Sequence, residues 1–265
     1  MANSYFSFKQ FTVQQARSAM KVGTDGVLVG AWCGREATLM PNESVRSDES
    51  MSERGRKEIG CPLRWLDVGT GTGLIALMLA QRFPLAEIDA LEPELAACAD
   101  AQDNFEASPW KERLHLIAGR LQEYAGQTSL RYDHVVTNPP YFVDALHSPD
   151  AARSQARHAI TLPCDELLEG VACVLKEEGT FSLILPPEES RRFRNEATAR
   201  GWWLQRMTEV HSTGRSGVRR VLMQWGRHPQ NGTESGVFDW LLIHGEGGDY
   251  TPEYRALTRD FYLRF

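Results

Sequence analysis

From residue 63 onward the chain alternates short apolar runs with helical patterns, and no other feature constrains the fold as tightly. The runs 63–68, 86–91, 114–118, 132–137 and 180–185 read as strands, and 74–82, 94–106, 165–175 and 188–200 as helices. Such alternation predicts a mainly parallel, doubly wound α/β sheet with right-handed crossovers. Two more strand-like runs, 202–210 and 218–225, have no helix between them. They predict an antiparallel hairpin at one edge and bring the sheet to seven strands. Before the beat begins, 5–13 alternates aromatic and polar residues, as a short strand or hairpin does. Thr24 is placed to cap a helix running through Val27, Leu28 and Trp32. Residues 41–60 are rich in Ser, Glu and Arg with few apolar anchors and read as a mobile surface loop. The tail from Pro252 to Phe265 reads as an amphipathic helix docked by its aromatics.

Composition removes several classes. At 42% hydrophobic and 24% charged the chain is not mostly disordered. The longest mid-chain apolar run, Leu74 to Ala80, is far short of the ~20 residues a membrane helix needs. The start of the chain lacks a basic region followed by an apolar core, so no secretory signal is read there. Cys33, Cys61, Cys98, Cys164 and Cys173 are odd in number and show no CxxC spacing. A disulfide framework or a zinc site is therefore not expected, and a cytoplasmic protein without metal or membrane contact is. Net charge is −6, which disfavours a general nucleic-acid binder. Residues 151–227 nevertheless hold 12 Lys and Arg against 9 Asp and Glu, while the remainder holds 17 against 26, so the basic excess is local.

Two motifs carry chemistry. Asp67-Val-Gly69-Thr-Gly71-Thr-Gly73 sits at the first strand-to-helix turn, where glycines permit a tight turn and close approach of backbone to a ligand. A dinucleotide site reads GxGxxG; here the spacing is GxGxG, with an aspartate two residues ahead that suits a cationic group better than a pyrophosphate. Glu92 ends the second strand, where a carboxylate can take two ribose hydroxyls. This pattern resembles the S-adenosyl-L-methionine site of Rossmann-like class I methyltransferases. The second motif, Asn138-Pro139-Pro140-Tyr141-Phe142, ends the fourth strand at the edge where open α/β sheets bind ligands. Consecutive prolines fix φ and donate no hydrogen bonds. The Asn138 side-chain oxygen and the Pro139 carbonyl can then accept from an NH2 group, while Tyr141 stacks on a flat ring.

These residues match the Asn-Pro-Pro-Tyr motif of methyltransferases acting on planar nitrogens: adenine N6, cytosine N4 or glutamine N5. Further segments are similar to the bacterial tRNA1(Val) (adenine-37-N6)-methyltransferases, namely Phe11-Thr-Val-Gln, Met20-Lys21-Val-Gly-Thr24-Asp25-Gly and Ala156-Arg157-His158. The resemblance covers most of 5–228, with 41–60 as an insertion. It implies a single methyltransferase domain over 1–265: a cofactor-covering segment 1–40, the loop 41–60, a core 61–228 and an extension 229–265. It implies S-adenosyl-L-methionine bound by Lys21, Thr24, Asp67, Gly69, Gly71, Gly73, Glu92 and Asn138. It implies catalysis by Asn138, Pro139, Pro140 and Tyr141, and contact of Phe142, Arg157, His158, Arg215 and Arg219 with the anticodon stem-loop of a tRNA. A monomer is the expected state. At Arg120 the chain departs from the acidic residue that many methyltransferases carry there. Arg153 and Arg220 complete the expected basic rim, and Arg191-Arg192-Phe193-Arg194 reads as a solvated helix face. The alternatives are a glutamine-N5 methyltransferase of release factors, another RNA or DNA adenine-N6 methyltransferase, a non-catalytic RNA-binding module and, disfavoured by GxGxG, an NAD oxidoreductase. Release-factor enzymes carry a helical domain ahead of the fold, for which the residues before Leu63 leave little room.

Overall fold

The computed structural model describes residues 3–34, 62–140, 162–229 and 236–264. A small antiparallel hairpin, β1 (Tyr5–Ser7) and β2 (Thr12–Gln14), leads into helix α1 (Thr24–Trp32). Then come β3 (Arg64–Val68), α2 (Leu74–Arg82), β4 (Glu87–Glu92), α3 (Leu95–Glu106), β5 (Leu114–Ala118), α4 (Leu121–Gln127) and β6 (Tyr132–Thr137). The second half holds α5 (Cys164–Val174), β7 (Leu175–Leu185), α6 (Pro187–Ala199), β8 (Trp203–Thr213), β9 (Val218–Gly226), β10 (Val237–His244) and α7 (Pro252–Thr258).

Eight strands form one sheet in the order β10-β8-β9-β7-β6-β3-β4-β5. Seven run the same way, and only β9 is antiparallel to its neighbours β7 and β8. The count exceeds the expected seven because β10 adds in parallel outside β8. The hairpin β8–β9 is therefore internal and not an edge. β10 escaped the sequence reading because a parallel strand needs no turn beside its partner, and its outward residues are as apolar as its inward ones.

Alternate residues of each strand feed two cores, as a two-faced sheet requires. Ile184, Leu222 and Leu241 face α1, α2, α3 and α7, whereas Leu183, Leu185, Val221, Met223 and Trp225 face α4, α5 and α6. α1 lies against α2 because Gly26 and Gly30 occupy the contact: a Cβ at Gly30 would stand 2.9 Å from Met78 Sδ. Gly23, not Thr24, takes the N-cap position of α1, without a side-chain cap bond. α3 opens at Leu95 with Glu94 as its N-cap, so Pro93 stands outside the helix. The C-terminal helix stops at Thr258, and its chain docks through Tyr254, Leu257 and Phe261, with Thr251 capping it through Tyr254 N at 3.2 Å. No described helix is long and apolar enough to cross a membrane.

Candidate active site

The parallel strands bring their C-terminal ends to one edge. Val68 pairs with Leu91 on one side and Thr137 on the other, so the turn at Gly69, Glu92 and Asn138 follow at one level on three adjacent strands. Thr137 Oγ1 reinforces this by donating to Val68 O at 2.7 Å.

The glycine turn needs its glycines for two different reasons. Gly69, Gly71 and Gly73 have φ of +71°, +56° and +81°, a region costly for residues with a Cβ. Above Gly69 and Gly71 a Cβ would meet nothing within 4 Å, which leaves an open cradle. At Gly73 it would stand 2.5 Å from Phe105 Cε1, so that glycine serves the packing of α2 on α3. The Gly69 and Thr70 amides are spent on Leu91 O at 2.8 and 3.0 Å. Gly71 N donates instead to Glu92 Oε2 at 2.8 Å. Glu92 Oε1 accepts from Glu94 N at 2.9 Å, and burial pushes this carboxyl above its ordinary range. Both oxygens are thus oriented by backbone, and each keeps lone-pair capacity for a second donor.

Asp67 is fully buried beneath the turn, where the sequence placed it facing a ligand. Its Oδ2 accepts from Thr70 Oγ1 at 2.6 Å and from Ala76 N at 3.2 Å. Its Oδ1 has no hydrogen-bond partner among the described residues. Burial is the largest cause pushing its carboxyl up to about 7, and the Glu92 charge adds to the shift. A buried acceptor left unmatched costs on the order of 1–3 kcal/mol.

The N-terminal segment is fastened against this turn by residues that sequence reasoning missed. Asn104 accepts from Gln14 N at 2.7 Å and donates to Gln14 O at 2.8 Å and Thr72 O at 2.9 Å. Asp100 Oδ2 accepts from Arg17 N, Ser18 N and Ser18 Oγ within 2.9 Å. Their signal was present as polar residues at i and i+4 on the buried stripe of α3, beside Ala97, Ala101 and Phe105. Lys21 donates to the carbonyls of Gln15 and Ser18, and Val22 N donates to Gln15 Oε1 at 2.7 Å. Lys21 therefore holds this segment's own shape. Thr24 is exposed in the first turn of α1.

Asn138 is half-buried, and its side chain has no hydrogen-bond partner among the described residues; Pro139 behind it is buried. Tyr141, Phe142, Arg153, Arg157 and His158 lie outside the described residues. Of the basic rim, Arg215 and Arg219 are exposed at the β8–β9 hairpin, which ends at the same sheet edge because Val221 pairs with Leu185. Arg220 is committed to Asp25 on α1, Nε to Oδ2 at 2.7 Å. Arg120 is exposed at the N-cap of α4. In the Arg191–Arg194 run, Phe193 is core, Arg192 pairs with Glu188 at 3.0 Å and Arg194 donates to Met207 Sδ at 3.4 Å. Among the described residues no group of three or more His, Cys, Asp or Glu could hold a metal ion. The arrangement can receive a ligand bearing a donor for Asp67 and hydroxyls for Glu92, beside an acceptor at Asn138.

The family described as Methyltransferase small domain matches residues 59–184. The tRNA1(Val) (adenine(37)-N6)-methyltransferase of Bacteroides thetaiotaomicron is 40% identical over 264 residues, 99% of each chain. The protein of the same name from Flavobacterium psychrophilum is 39% identical over 98% of this chain and 99% of its own. A crystal structure titled as a predicted O-methyltransferase from Agrobacterium tumefaciens superposes with a TM-score of 0.61 at 16% identity. It covers 89% of this chain and 96% of that one, and shows the fold.

Proposed function

The chain belongs to the tRNA1(Val) (adenine(37)-N6)-methyltransferase family, and from that premise we propose that it methylates N6 of adenine 37 in the anticodon loop of tRNA(Val), with S-adenosyl-L-methionine as donor. The single observation that carries this is identity of 37–40% over nearly the full length of both chains. The site supports the donor independently. Asp67 Oδ1, buried and without a partner among the described residues, is an acceptor suited to a cationic amino group, and the cradle over Gly69 and Gly71 leaves room for a ligand where a side chain would stand. Glu92, fixed by Gly71 N and Glu94 N, can take ribose hydroxyls on its remaining lone pairs. Lys21 acts at one remove by shaping the segment over the turn.

When bound, S-adenosyl-L-methionine supplies an electrophilic methyl group. The chain's part is positioning and charge stabilisation. An exocyclic adenine nitrogen is a poor nucleophile because its lone pair is delocalised into the ring. Asn138 Oδ1 and the Pro139 carbonyl accept from its two hydrogens, draw it toward tetrahedral geometry and stabilise the positive charge that grows on it. Holding that nitrogen in line with the methyl group is an orientation effect. No strong base is required, since the methylated nitrogen loses its proton readily. The motif assigns base stacking to Tyr141.

Methyl transfer from labelled donor into total tRNA of a strain lacking this protein, followed by mapping of the modified base, tests the reading. Label at adenine 37 of tRNA(Val) is the expected result. Label in a release factor, and none in tRNA, would move the function to glutamine N5.

A further inference from the structure

β10 carries the most exposed aromatic residues of the sheet. Phe238 is 59% and Trp240 69% exposed, although β10 lies in a regular ladder with β8. They share a face: Leu241 turns into the core against α1 and α7, and Asp239 bonds Thr208, so Phe238 and Trp240 project from the opposite side. That side is also the face of Met207 and Val221.

The ladder fixes how far along the sheet Trp240 stands. Trp240 pairs with Glu209, Glu209 with Val221, and Val221 with Leu185. Leu183 pairs with Thr137 on β6, so Leu185 is level with Pro139. Trp240 therefore stands at the height of the Asn138–Pro139 turn, four strand spacings away, on the order of 19 Å. Between them along the same edge is Arg219, exposed where β9 carries one extra residue against β8, with Arg215 at the hairpin tip. Arg194, bonded to Met207 Sδ, sets a guanidinium beside the strand position that pairs with Phe238. The flanking acid, Glu209, lies 4.0 Å from His211.

We propose that Trp240, backed by Phe238, is a stacking station for an unpaired nucleotide of the bound tRNA, with Arg219 and Arg215 holding the phosphates between it and the catalytic turn. The proposal rests on tRNA being the substrate. Bases splayed out of a loop present flat faces that exposed aromatics accept regardless of sequence, and arginines spaced between two such points match the intervening phosphodiesters. The committed occupant is RNA because exposed cations stand along the sheet edge between the aromatics and the acceptor for the reacting base.

An unmodified tRNA(Val) transcript, titrated with the full-length protein by fluorescence anisotropy, is the probe. Trp240→Ala is expected to weaken its binding by about 10-fold, the effect of losing one stacked base. Affinity for S-adenosyl-L-methionine and the melting temperature should not move, because the residue is exposed. Trp240→Tyr should restore most of the loss, since it keeps a flat ring. Unchanged tRNA affinity in Trp240→Ala, or an equal loss in Trp240→Tyr, overturns the proposal. So does a shift from dimer to monomer by sedimentation with tRNA affinity intact, which would make this face a contact between copies. Trp240-dependent binding by a protein that transfers no methyl group to tRNA would sustain the surface while refuting the methyltransferase reading. A wild-type protein that does not bind the transcript refutes both.

Discussion

At Asp67 the folded protein holds a carboxyl whose value, about 7, lies well above the ordinary 3.8. The sign follows from linkage: a raised carboxyl contributes stability fully below about pH 4, and that contribution is lost as pH rises through about 7. The groups that face it are the Thr70 hydroxyl and Ala76 amide, which favour the anion, and Glu92 with Cys33 nearby. A cationic ligand group at Oδ1 favours the anion further, so binding must release a proton below pH 7. S-adenosyl-L-methionine should therefore bind more tightly from about pH 5.5 to about 7.5 and then level off. Calorimetry in two buffers of different ionisation enthalpy reads the released proton directly, and Asp67→Asn should abolish both the release and the slope. A pH-independent wild type would remove the cation from this site. Asn138 separates from Asp67 in kind, because it stands half-buried at the end of β6 and not beneath the turn. Asn138→Ala should leave donor affinity nearly unchanged and lower kcat by roughly 10²-fold, as loss of one preorganised polar contact does. Equal loss of both in single-turnover kinetics would mean that the turn is architectural.

Elements divide the glycine turn into a packing end and a binding end. Gly73→Ala meets both a positive φ and the Phe105 ring at 2.5 Å, and should cost stability of about 2 kcal/mol or more in denaturant melts. Gly71→Ala meets only the φ cost, but its Cβ stands in the cradle. It should therefore weaken donor binding by more than its smaller loss of stability implies. If both variants lose the two properties in the same ratio, the cradle holds no ligand. A similar contrast applies to the clamp on the N-terminal segment. Asn104→Ala leaves the Gln14 and Thr72 groups unmatched and should cost about 1–3 kcal/mol, with donor affinity falling because Thr72 lies within the turn. Asn104→Asp keeps only the acceptor and should not rescue it; full rescue would contradict the donor role. The sequence made the strand–helix beat, the Gly-rich turn, Glu92 and the position of Asn138 legible because each is a local pattern. It did not reveal α4, a seven-residue helix with one buried residue, Leu121, and hence little apolar stripe to read. Nor did it reveal what depends on chain segments far apart: β10 beside β8, Asp100 and Asn104 gripping a segment 82 to 90 positions away, or Arg220 spent on Asp25.

For the whole molecule, a chain of net charge −6 must hold a polyanion by a local surface. Arg215 and Arg219 stand exposed on the edge that carries the glycine turn and Asn138, with the bulk of the acidic excess elsewhere in the chain. Each phosphate neutralised releases counterions, so binding falls with salt, and removal of one contact flattens the log–log slope by roughly one unit. Replacing Arg215 and Arg219 together by Glu should therefore lower tRNA affinity steeply and flatten the slope by about two units, with S-adenosyl-L-methionine affinity and melting temperature unaltered. Arg220→Glu must behave differently, because that guanidinium ties β9 to the first turn of α1 through Asp25. Its replacement sets two carboxylates against each other and should lower the melting temperature, while the salt slope stays at the wild-type value. Filter binding of a tRNA(Val) transcript between about 50 and 200 mM salt separates the two classes. A double variant with wild-type affinity and slope would show that the hairpin is a solvated edge. The RNA would then have to bind through the N-terminal segment around Lys9 and Lys21.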